Sequence, residues 1–148
     1  MKDNLTLVVM SLLSILLALI HLTEDVVRGF ERGGPEIFNG VLIAAVWLYA
    51  ALVLVGRPSG YVLLLVLSIG GAGVSYIHMR GAGLAGGRIA NSSGVFFWVF
   101  TLLTLGATST LSAMLAAQGL WKSFRGRRRP VSTKLRSSEV GAVESSPT

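Results

Sequence analysis

The chain has 148 residues, 52% of them hydrophobic and only 14% charged, and a mean hydropathy of +0.68. A soluble domain carries about a quarter charged residues, so this composition argues against one and points to an integral membrane protein. The absence of cysteine excludes disulfides, thiolate metal sites and cysteine nucleophiles. The net charge of +6 gathers beside an apolar segment, which suits a membrane surface better than nucleic acid.

The apolar residues fall into four blocks, each long enough for a transmembrane helix of roughly 20 residues. The first, about Leu5–Leu22 (LTLVVMSLLSILLALIHL), exceeds the usual h-region of a signal peptide, and no A-x-A-like site follows it. An uncleaved helix is expected. A charged hinge, Thr23–Glu36, then closes on Gly33-Gly34-Pro35, which stops any helix extending from the first span.

The second block, about Ile37–Val55, ends at Gly56-Arg57-Pro58-Ser59-Gly60, a short turn that makes spans two and three antiparallel neighbours. The third, about Tyr61–Met79, is rich in small residues (Ser68, Gly70, Gly71, Ala72, Gly73, Ser75) of the kind that let helices approach closely in lipid. A glycine-rich second hinge, Arg80–Ser93, reads as loop. It follows no strand, so its glycines are not a dinucleotide or phosphate-loop fingerprint.

The fourth block, about Gly94–Leu120, carries Thr101, Thr104, Thr108 and Ser112 on one face, where hydroxyls bond to their own backbone or to a neighbouring helix. Phe96, Phe97 and Trp98 near one end and Trp121 at the other suggest interfacial aromatic belts. Residues 1–121 thus read as one transmembrane domain. Residues 122–148, rich in Ser, Arg and Gly, read as a disordered basic tail suited to anionic lipid head groups. The expected fold class is an all-α membrane protein, a four-span up-down bundle.

Lys2, Arg57 and the seven Lys and Arg of residues 122–136 fall on one side of such a bundle. Arg28, Arg32, Arg80 and Arg88 fall on the other, balanced by Glu24, Asp25, Glu31 and Glu36. The positive-inside rule then places both termini in the cytoplasm, in a cell membrane.

This topology brings His21 and His78, the only histidines, to the same level at the outer ends of spans one and three. If span one continues as a helix, His21, Glu24, Asp25, Arg28, Glu31 and Arg32 share one face, with Ser14 and Ala18 behind them. On span three, Gly71 and Ser75 share the face of His78. Polar and small faces turn towards a bundle interior, so the two histidines are expected in one neighbourhood.

The plainest expectation is a non-enzymatic membrane protein acting through packing or partner contacts, as a homo-oligomer or with another membrane protein, with the charges solvated and self-paired. Glu24 and Arg28 stand in the favourable i,i+4 order. A second is a metal- or haem-binding redox component. His21, His78 and Asp25 or Glu24 supply two imidazoles and a carboxylate for a divalent ion, or the histidines alone hold a haem. A third is a small transporter or anion-binding protein using Arg80 and Arg88. No nucleophile elbow or zincin helix points to an enzyme.

Overall fold

The computed structural model describes residues 2–28, 34–80 and 94–127. Among them the secondary structure is entirely helical: α1 (Lys2–Val27), α2 (Pro35–Leu52), α3 (Pro58–Arg80) and α4 (Val95–Arg127). Three of these helices contain stretches long and apolar enough to cross a membrane, Asn4–Val27, Pro58–His78 and Phe96–Gly126.

The boundaries follow from local chemistry. α1 runs unbroken past Leu22 to Val27, which puts His21 and Asp25 on consecutive turns of one helix. Gly34 and Pro35 open α2, proline occupying the first turn where its missing amide leaves no bond unmade. α2 ends at Leu52, short of the expected Val55. Its apolar stretch, Ile37–Leu52, covers about 24 Å at about 1.5 Å per residue, less than a hydrocarbon core of about 30 Å. The chain leaves it through Gly56 in the left-handed region (φ 86°) and re-enters helix at Pro58, so three residues of the expected span are consumed by the turn. At the other end of the chain, α4 runs on through Arg127, six residues into the segment expected to be tail. The expected tail beyond it (128–148), the expected loop over 81–93, and Glu31 and Arg32 of the first hinge lie outside the described residues.

Successive helices run in opposite directions. Tyr61 at the start of α3 donates a hydrogen bond from its hydroxyl to Asn4 Oδ1 at the start of α1 (2.8 Å), and His78 at the end of α3 meets His21 near the end of α1. α1 and α3 are therefore parallel. α4 opposes both, since its early Trp98 lies against the histidines while its late Gly119 lies against Tyr61. α2 opposes α1, with Gly40 beside Leu22. The most extensive contact is α3 with α4, then α1 with α4; α1 and α3 touch only across a narrow diagonal.

Small and hydroxylated residues line the contacts of α4. Ser112 Oγ lies 2.8 Å from Ser11 Oγ and accepts a bond from Ser68 Oγ at 2.9 Å, joining α1, α3 and α4 at one point. One level away, Ser14 donates to Thr108 at 3.0 Å. Thr101, Thr104 and Thr108 bond to carbonyls four residues earlier in α4. Interhelical bonds of this kind contribute about 0.6 kcal/mol each in lipid, so they set register more than stability. An apolar layer that includes Leu7, Ala50, Tyr61, Leu64 and Ala116 packs between these hydroxyls and the Asn4 end. Facing outwards, Leu5, Leu16, Ile43, Val66, Phe100 and Leu111 are exposed.

Candidate metal centre

The site sits at the end of the helices opposite Asn4 and Tyr61. His21 and Asp25 are one turn apart on α1, so both side chains leave the same face. That face is buried because Ser14 and Leu17, further back along it, pack inwards. His21 is 4% exposed and Asp25 9%, unusual burial for two titratable groups. α3 adds His78 from its last turns, above the buried Ser75 whose hydroxyl donates to Leu102 O of α4 at 2.6 Å. The imidazoles of His21 and His78 lie edge to face, with centroids 5.0 Å apart and planes at 79°.

Trp98 closes the third side. Its ring centroid stands 5.5 Å from that of His21 and 5.7 Å from that of His78. Its position is set from the start of α4, where Gly94 adopts φ 86° and accepts the Trp98 amide at 3.2 Å. Arg28 Nη2 donates to Gly94 O at 3.2 Å, tying the end of α1 to the start of α4. Glycine is favoured at position 94 by its φ; a Cβ there would come within 2.7 Å of Arg28 Nη2, the tip of a flexible side chain that can move aside.

The hydrogen bonds around the cluster leave at least one ligand atom of each residue without a hydrogen bond. His78 Nδ1 lies 2.8 Å from Val74 O; a carbonyl only accepts, so Nδ1 carries a proton and Nε2 is the nitrogen left to meet a metal. Trp98 Nε1 donates to Asp25 Oδ1 at 2.9 Å, leaving Oδ2 unengaged by it. His21 Nε2 stands 3.4 Å from that Oδ2, within ion-pair range, but neither ring nitrogen of His21 makes a hydrogen bond. One ligand atom from each of His21, Asp25 and His78 can be chosen so that all lie within 4.8 Å of one another.

A buried polar atom without a partner costs about 1–3 kcal/mol, and buried charge costs more. A divalent ion would take one lone pair from each residue and so satisfy one of the two ring nitrogens of His21. Metal–nitrogen and metal–oxygen bonds of about 2.0–2.2 Å would require the three atoms to draw closer than the 4.8 Å that now bounds their separations. The outer hydrogen bonds are those a metal site uses: an imidazole held by a carbonyl through its other nitrogen, and a carboxylate held by an indole. A haem between the histidines does not suit this arrangement, since the rings are in edge contact and Trp98 fills their flank.

Of the residues singled out from the sequence, His21, Asp25 and His78 are thus brought together. Glu24 is not in the cluster. It points along α1 to Arg28, 3.4 Å from Oε1, while Oε2 is buried without a hydrogen-bond partner. Arg80 is the last residue of α3, and Arg88 lies outside the described residues, as does the anion site expected of the second hinge.

Trp98 departs from its expected place in an interfacial belt. Phe96, Phe97 and Trp121 are exposed, but Trp98 is 1% exposed. The cause is the 100° step: Thr101, Leu102 and Leu105, at i+3, i+4 and i+7 from Trp98, form the buried face of α4. That spacing, with the matched level of Trp98 and the histidines, is the signal in the sequence that would have found it.

Comparison with protein-family models, curated proteins and solved structures gives no match, so the functional reading rests on the site itself.

Proposed function

We propose that this chain is a four-span integral membrane protein, with both termini cytoplasmic, that binds one first-row divalent metal ion at the outer end of its bundle through His21, Asp25 and His78. The observation that carries the reading is the convergence of these three side chains, His21 and Asp25 buried and His78 half-buried, with neither ring nitrogen of His21 hydrogen-bonded. Two imidazoles and one carboxylate form the ligand set of many zinc and non-haem iron sites, and three protein ligands leave a coordination position open. The absence of thiolates turns the preference away from soft ions.

The membrane assignment is supported by the three long apolar helices and by the large aliphatic and aromatic side chains exposed around them, which are stable against lipid and unfavourable against water. The shorter α2 is accommodated by local thinning of the bilayer or by its flanking polar residues reaching the interface. The excess of Lys and Arg at the Asn4 end and beyond residue 121 puts that end in the cytoplasm, where anionic head groups attract the basic segment.

Metal analysis tests the site directly. Protein purified from membranes in mild detergent and offered Zn2+, Fe2+ or Co2+ is expected to retain about one equivalent of at least one of them. His78→Ala and Asp25→Ala are expected to lose it while remaining helical. Protein that takes up no stoichiometric metal under these conditions overturns the reading.

A further inference from the structure

His21, Asp25 and His78 also form one end of a cavity of about 530 Å3 between α1, α2 and α3. Its walls are otherwise almost wholly apolar, with Leu22 from α1, Ile43 and Ala44 from α2, and Val66, Leu67 and Val74 from α3. Along α3 the lining runs from His78 back to Val66, about 18 Å at about 1.5 Å per residue. Spread over that length, the volume corresponds to a cross-section of about 30 Å2, a slot with room for a single hydrocarbon chain. Ile43 of α2 and Val66 of α3, both lining it, are 54% and 61% exposed, so the slot is open at its side along these two helices.

Glycine keeps the slot clear. Gly40, Gly70 and Gly71 all line it, and a Cβ on Gly70 would meet nothing within 4 Å. Packing therefore does not require glycine at position 70, although a larger side chain there would stand at the slot.

The charge at the polar end defines the head group. A divalent ion with Asp25 as its only anionic ligand leaves a site of charge +1, costly where it is screened from water. A monoanionic oxygen ligand at the open position neutralises it and completes the coordination shell. We infer that the slot holds the tail of a single-chain lipid carboxylate, entering sideways between α2 and α3, whose carboxylate takes the open position on the metal. The inference rests on the metal reading above and adds its ligand. Binding forms a metal–carboxylate bond and breaks no covalent bond.

The test uses the full chain in detergent, loaded with Zn2+, and a stearate brominated at mid-chain, whose bromines quench nearby indoles. Trp47 lines the slot and reports occupancy. Saturable quenching at one equivalent is expected, with its main component lost in Trp47→Phe. Binding is expected to weaken at least tenfold for the methyl ester of the same acid, after chelation of the zinc, and in Gly70→Leu. Gly70→Leu is expected to keep its zinc. Equal binding of acid and ester, or binding indifferent to zinc, overturns the inference, and both comparisons use the unmodified chain. A zinc-bearing protein that binds no fatty acid refutes the slot alone; a protein that binds no zinc refutes the metal reading as well.

Discussion

Replacing Trp98 with phenylalanine removes one hydrogen bond and leaves the site's three ligand residues in place. The indole donates to Asp25 Oδ1 at 2.9 Å in a position where both residues are buried, so no bulk water can substitute for it. A hydrogen bond to a charged group contributes about 1.5–3 kcal/mol, and every 1.4 kcal/mol is about tenfold in an equilibrium constant. If the carboxylate is a ligand, its outer partner orients it, and losses of about 10–100-fold in metal affinity follow removal of such partners. The two routes agree: Trp98→Phe is expected to weaken zinc binding by about 10–100-fold, measured by competition with a chromophoric chelator in detergent. Phenylalanine keeps most of the ring that packs on His21 and His78, so the helices should remain associated. His78→Ala, which removes a ligand, is expected to abolish binding over the same range. An affinity within threefold of the parent in Trp98→Phe would refute the role assigned to Asp25.

Two further predictions concern packing and orientation. A Cβ on Gly71 would lie 2.6 Å from Ser109 Oγ and 2.8 Å from Trp47 Cη2, both on buried residues, so Gly71→Ala is expected to destabilise by about 1–3 kcal/mol in denaturant unfolding. Gly73→Ala on the same helix meets nothing within 4 Å and is expected to be neutral or to stabilise by about 0.5–1 kcal/mol; equal effects of the two would contradict the packing of α3. In this cysteine-free chain, Ala85→Cys is expected to react with a membrane-impermeant maleimide on intact cells and Ser59→Cys is not, the reverse pattern placing both termini outside.

Much of the helical layout was legible because hydrophobic blocks and their breakers are local features. Gly33-Gly34-Pro35 and Gly56-Arg57-Pro58 bound α2 by backbone chemistry that any sequence reader can apply. The exact ends were less so. Val53, Leu54 and Val55 are as apolar as the residues before them, yet they belong to the turn, because the chain must reverse before Pro58 can begin the next helix. The fate of residues 122–127 is similar: composition reads them as tail, while α4 simply propagates through them at the low cost of adding residues to an existing helix.

The site divides along the same line. Depth along each helix follows from counting residues at a fixed rise, so the shared level of His21 and His78, and the shared face of His21 and Asp25, are determined by the sequence itself. Which carboxylate joins the histidines is not. Glu24 and Asp25 are adjacent in sequence and 100° apart on α1, and only the packing of α3 and α4 against one side of that helix selects Asp25 and leaves Glu24 to Arg28. The burial of Trp98, its bond to Asp25 and the slot beneath the histidines likewise exist only once the four helices are set side by side. A periodic sequence states what each helix presents at each level; rotation about the helix axis, decided by how neighbouring side chains fit, determines which of those groups meet.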